Sequence, residues 1–177
     1  YLGRGYIPDS SGYGKFRGGS CPAAVIMVHN AKFMQQGSFG SGNKVAGIQG
    51  LWGGYPSPGT TTRRLLNSDF YEIAKGKEIP HTIEDLDEGK FISGELMVLE
   101  PTVPTRVLNN GDIYAHNQWG GAGLGDPIER DPALVLKDVL DSYVSIQKAK
   151  EMYCVAIETD PLSVNEAETK ALRDAKR

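Results

Sequence analysis

Cysteine is nearly absent from this 177-residue chain: Cys21 and Cys154 are its only two. Two are too few for a disulfide framework, and neither belongs to a Cys-x-x-Cys pair that would indicate zinc or redox work. They read as two buried thiols in a reducing compartment. Histidine is scarce as well, and His29, His81 and His116 show no His-x-x-x-His spacing that would set two imidazoles on one helical face, so no metal site is expected. Long apolar runs are missing. No window reaches the roughly 18 residues a bilayer crossing requires, and the opening YLGRGYIPDS lacks the apolar centre of a signal peptide, which together predict a soluble, cytoplasmic chain with no membrane partner. An excess of positive charge is missing too: 19 basic against 22 acidic side chains leave a net charge of −3 without a long basic run. That removes the electrostatic footprint of a nucleic-acid binder.

Several catalytic signatures are also lacking. There is no Gly-x-Ser-x-Gly elbow and no cysteine with the local features of a nucleophile, which argues against a self-contained hydrolase. Gly-Lys occurs at 14–15, 76–77 and 89–90, but none has the preceding glycine and following hydroxyl residue of an ATP-binding phosphate loop. A dinucleotide fingerprint fails at its third glycine, because Gly121 and Gly123 are followed by Asp126 at that position.

What the chain has instead is glycine, 22 residues of it, with 10 prolines and a 40% hydrophobic content that can fill a core at 19.2 kDa. The first twenty residues carry little apolar periodicity and predict an extended, turn-rich arm (1–20), leaving 21–177 as a single domain. Ala23–Val28 is a β-branched run that then alternates, as in a long strand or hairpin, and KVAGIQGLWGGYPSPG repeats this before a Gly53-Gly54-x-Pro56 turn. DFYEIAKGKEI reads as a strand pair around Gly76, and TIEDLDEGK as one helical turn stopped by Gly89. Two more strands and an Asn110-Gly111 turn follow. The domain is thus β-rich to about 119.

From about 131 the pattern turns helical. Asp131 suits an N-cap, Pro132 the first helical position, and Val135, Leu136, Val139, Leu140 and Tyr143 share one face. Ser145 caps a second helix through Tyr153, CVAIE is a short strand, and Ser163-x-x-Glu166 fits a capping box opening the last helix. The fold class is α+β: a mainly antiparallel β portion with glycine-rich loops, followed by C-terminal helices.

The stretch DIYAHNQWGGAGLGDPIERDP (112–132) is dense in both glycine and carboxylate. Backbone amides at the helix start near Asp131 attract anions, but Asp126, Glu129 and Asp131 would repel one there. Gly120, Gly121, Gly123 and Gly125 read as a structural loop. Asp126 is the candidate catalytic carboxylate, its backbone biased to an extended conformation by Pro127, with Lys15 and Arg17 as candidate anion or substrate contacts. Their bland alternatives are a turn former and two solvated charges.

Two stretches in order, PDSSGYGKFRGGS (8–20) and the run from Gly111 to Val155, resemble motifs near the C-terminal end of the hydantoinase B/oxoprolinase family. Pro8, Asp9, Ser10, Gly12, Gly14, Lys15, Phe16, Arg17, Gly18 and Gly19 match the first motif. Gly120, Gly121, Gly123, Gly125, Asp126, Pro127, Arg130, Asp131 and Pro132 match the second. Ser11, Ala122 and Cys154 stand where the family usually has glycine. The resemblance implies part of an ATP-dependent enzyme that carboxylates ketones, as acetone and acetophenone carboxylases do, or opens cyclic amides, as hydantoinases and 5-oxoprolinase do. QGLWGGYPSPG is nearer the carboxylases. Family members run to several hundred residues, so the chain, which opens on Tyr1, corresponds to a small subunit or separated C-terminal piece. ATP with Mg and a divalent metal are then expected on larger hydantoinase A-like and B-like partner subunits, with none bound by this chain and no activity from the chain alone. A non-catalytic assembly domain of such a complex is the further alternative.

Overall fold

The computed structural model describes residues 1–38, 47–76, 78–99 and 103–176. They form two compact units, one of Tyr1–Tyr6, Pro22–Val45 and Gly59–Trp119, the other of Ile7–Cys21, Ala46–Pro58 and Gly120–Arg177. The glycine-rich opening is therefore shared between units, and the second is assembled from three separated stretches.

The first unit is built on a five-stranded antiparallel sheet in the order β1 (Gly3–Tyr6), β2 (Pro22–Met27), β7 (Ile113–Asn117), β4 (Thr62–Leu66), β5 (Glu95–Leu99). Strand alternation decides what is buried: Val25, Leu65, Ile113 and Ala115 point to one face, and α2 (Ile83–Asp87) contributes buried Ile83 and Leu86. A separate ribbon pairs β3 (Phe33–Ser38) with β6 (Val103–Asn109), and Val28, Leu66 and Leu108 form a small core with Met34, Met97 and Tyr114. Arg64 is buried there with no carboxylate partner among the described residues; its guanidinium donates to the Gln36 side chain at 2.5 Å and to the Gln36 and Pro104 carbonyls at 3.1 Å.

Several local expectations hold. The 83–87 turn carries a full capping box between Thr82 and Asp85. Gly111 turns with φ +95°, and the Asp112 carboxylate accepts the amides of Asn67 at 2.9 Å and Asn109 at 2.8 Å. Others fail. The apolar run after Cys21 is neither one strand nor a hairpin, because β2 and β3 join different sheets. The strand pair expected around Gly76 is instead helix α1 (Phe70–Ile73), which sends Phe70 into the core; β4 is already flanked by β7 and β5, so tertiary context overrides the strand propensity of Phe70 and Tyr71. In KVAGIQGLWGGYPSPG, residues 44–46 lie outside the described residues and the rest makes one isolated bridge at Leu51 followed by the expected turn.

The second unit holds the helices. Asp131 caps α3 (Pro132–Leu140) by accepting the Ala133 amide, and Ser145 caps α4 (Ile146–Tyr153) by accepting that of Lys148. Val135, Val144, Ala149, Tyr153 and Val155 form its core. The face of α3 is the expected one in part: Val135 is buried and Val139 packs on the core, but Leu140 is 58% exposed and Asp138 is buried. After α4, the strand expected over CVAIE begins three residues late, as β8 (Ile157–Thr159) in a hairpin with β9 (Leu162–Val164), because Cys154 ends the helix in the left-handed region. The last helix, α5 (Glu166–Lys176), is capped by Asn165, whose side chain accepts the Glu168 amide at 2.9 Å. Ser163 is held in β9, so the cap falls two residues later than expected.

Candidate functional site

The two motif stretches and residues 50–55 cross one another in the second unit, and glycine is what lets them. A Cβ on Gly123 would stand 2.0 Å from the Tyr13 carbonyl oxygen, and one on Gly18 would stand 2.0 Å from that of Gly121. Backbone fills the space a side chain would need.

Four of the loop amides are engaged in the same crossing. Gly121 donates to Gly19 at 2.8 Å, Gly123 to Tyr55 at 2.9 Å, Leu124 to Phe16 at 3.0 Å and Gly125 to Leu51 at 2.9 Å. A phosphate-binding loop needs its amides turned toward the ligand. At Gly121, Gly123, Leu124 and Gly125 the amides instead close the fold on itself. Among the described residues there is also no group of three or more His, Cys, Asp or Glu side chains placed to hold a metal ion.

The candidate carboxylate Asp126 is exposed and extended (φ −65°, ψ 127°), and its Oδ1 accepts the Ile128 amide at 3.0 Å, capping a single 3-10 turn at Pro127–Glu129. Lys15 reaches Glu129 at 3.2 Å, with both side chains about half exposed. Arg17 is drawn into a different setting. Its guanidinium meets Asp138 Oδ1 at 3.2 Å, while Arg130 meets Oδ2 at 2.9 Å, and all three side chains are largely buried. Arg17 also lies 5.0 Å from the Tyr143 ring centre and donates to the Gly18 carbonyl at 2.7 Å. Lys15 and Arg17, two residues apart in sequence, thus have different surroundings and share no acidic partner.

Asp138 was not singled out by sequence reasoning, although a signal exists. It lies three residues beyond Val135, so it falls on the buried face of α3, where a carboxylate demands a partner. Asp9 was matched only as a motif letter. It adopts φ +56°, donates its amide to Tyr143 at 3.0 Å and accepts the Ser145 amide at 2.8 Å, tying the first motif to the loop between α3 and α4. Tyr13 packs edge-on against both Tyr55 and Tyr153, with ring centres 6.4 and 5.6 Å apart. Burial pushes the Tyr153 phenol up to about 12, so it stays protonated. Both cysteines are buried and unpaired, and burial raises the Cys21 thiol.

No protein-family profile matches the chain. Individual proteins do. It is 32% identical to the acetone carboxylase alpha subunit of Xanthobacter autotrophicus, aligned over 98% of this chain and 24% of that one. It is 30% identical to the acetophenone carboxylase delta subunit of Aromatoleum aromaticum, over 94% and 25%, and 31% identical to the caprolactamase beta subunit of Pseudomonas jessenii, over 96% and 25%. Among solved structures, a nucleotide-free acetone carboxylase superposes on all of this chain with TM-score 0.86 at 30% identity, covering 24% of that chain. The ATP-dependent caprolactamase of Pseudomonas jessenii superposes on 97% with TM-score 0.65 at 25% identity. The chain spans about a quarter of the length of the curated relatives it matches.

Proposed function

We propose that this chain, similar over nearly its whole length to one segment of the acetone carboxylase alpha, acetophenone carboxylase delta and caprolactamase beta subunits, works as part of a heteromeric ATP-dependent ketone carboxylase. ATP is used on a partner, and this chain supplies a rigid crossing of loops rather than a reacting group. The observation that carries the carboxylase reading is the closeness of fold: the TM-score is 0.86 to acetone carboxylase and 0.65 to the caprolactamase, at similar coverage of this chain. The loop geometry supports the division of labour, since the amides that would hold a phosphate are already engaged with backbone carbonyls. Opening of a cyclic amide is the second reading, favoured by the 31% identity to the caprolactamase beta subunit.

The test is native mass spectrometry of the protein from its own source, followed by assay of the intact assembly. Co-purification with larger chains, MgATP binding by the assembly but not by this chain alone, and ATP-dependent transfer of labelled bicarbonate into acetone or acetophenone are expected. Hydrolysis of a lactam with no ketone carboxylation would move the assignment to the second reading. A lone 19.2 kDa species would remove both.

A further inference from the structure

The loop crossing that buries so much backbone leaves a set of large apolar side chains outside. Leu124 bridges Phe16 on one side, antiparallel, and Leu51 on the other, parallel. Residues paired across such bridges send their side chains to the same face, so these three form one apolar row. Phe16 is 61% exposed and Leu51 60% exposed. Tyr55, 48% exposed, rests edge-on against Tyr13, which itself contacts the buried Tyr153. The outer aromatic is thus anchored to the core and held rigid.

Trp52 is the extreme member, 83% exposed. It occupies the first central position of the Leu51–Gly54 turn, closed by a Gly54-to-Leu51 hydrogen bond of 3.0 Å, with φ +49° at Trp52 and +90° at Gly53. Two positive φ values in succession make a turn that normally takes glycine, asparagine or aspartate at both places. A bulky indole there is strained, and the chain itself buries little of it. Strained backbone that presents a side chain outward is a mark of a functional surface. The surroundings fit an interface as well: the aromatic centre has the Lys15–Glu129 ion pair and exposed Asp126 on neighbouring backbone, an apolar middle with a charged rim.

We propose that Phe16, Leu51, Trp52 and Tyr55 form the docking face by which this chain holds the remaining three quarters of a hydantoinase B-type polypeptide. The occupant follows from the comparison. The fold is reproduced along its whole length inside a chain four times as long, of which it covers 24%, so the same fold lies there in a molecule with that much additional polypeptide to pack against it. This deepens the proposed function and rests on it. The partner surface required is an apolar pocket able to take an indole, since central aromatic anchors dominate interface energetics.

Hydroxyl-radical footprinting read by mass spectrometry tests this, comparing the 177-residue chain alone with the chain in its native assembly. Oxidation of Trp52 and Phe16 should fall about tenfold in the assembly, as for desolvated anchors. The substitution Trp52→Asn, which suits the positive φ and removes the indole, should leave the melting temperature unchanged or higher while weakening association about 30-fold. An assembly that forms with Trp52 as reactive as in the free chain would overturn the docking face and leave the subunit reading standing. Protection that instead tracks dimer formation by the isolated chain assigns the face to a second copy and also overturns it. If no larger polypeptide is present, the subunit reading falls, and the docking face with it.

Discussion

Gly123 and Gly19 belong to the same pair of motifs and have opposite requirements. A Cβ on Gly123 would lie 2.0 Å from the Tyr13 oxygen, whereas one on Gly19 would meet nothing within 4 Å. Gly123→Ala must push apart two backbones that hydrogen-bond to each other, which costs about 3 kcal/mol or more, while Gly19→Ala should fall within about 0.5 kcal/mol of the parent. Urea denaturation of the two variants checks this; equal effects would mean that the crossing is looser than described. Ser11 and Ala122, two positions where the resemblance would place glycine, are not among the residues with positive φ, so a side chain is accepted there. Cys154, the third departure, is at φ +51°, where glycine would be unstrained. The motif letters were visible in sequence. Which glycines are obligatory was not, because that depends on the backbone lying opposite, more than a hundred residues away for Tyr13 and Gly123.

At the scale of elements, α3 owes its start to local chemistry and its buried face to tertiary chemistry. Asp131 and Pro132 announce the helix. Asp138 is legible only as a polar residue in register with Val135, and its two cationic partners come from the first motif and from the turn before the helix. Removing it leaves Arg17 and Arg130 buried without a counter-charge, so Asp138→Ala should lose about 3–5 kcal/mol by chemical denaturation. A loss below about 1 kcal/mol would show that water reaches the pair.

Strand β7 carries a second prediction. His116 is half-buried, stacks on Tyr114 with ring centres 5.0 Å apart, and has a buried Nδ1 without a hydrogen-bond partner among the described residues. Burial holds its pKa below the ordinary 6.5. As pH falls below about 6.5 the unfolded chain takes up this proton before the folded one does. Its stabilising contribution is therefore full above 6.5 and is lost as pH drops through the lower folded value. Melting temperatures between pH 7.5 and 5 should decline, and His116→Gln should flatten that slope. A slope unchanged by the substitution would assign the effect elsewhere.

For the molecule as a whole, the sequence determined the α+β class, the antiparallel β portion preceding the helices, the helix starts at Asp131–Pro132 and Ser145, and the likeness to segments of carboxylase and caprolactamase subunits. Each of these is written in near neighbours: caps act over three residues, periodicity over one or two turns, and a motif is a local string. Tertiary structure alone decided that the amides of Gly121, Gly123, Leu124 and Gly125 turn inward, that Arg17 serves Asp138 while Lys15 serves Glu129, and that β2 and β3 enter different sheets. It also decided that Trp52 is left outside. Those outcomes depend on which distant stretches cross, with Lys15 and Glu129 separated by 114 residues and Arg17 and Asp138 by 121. Local propensity carries no information about what a residue will meet across such a gap. Packing, hydrogen bonding and charge pairing supply that information only when the chain has closed on itself.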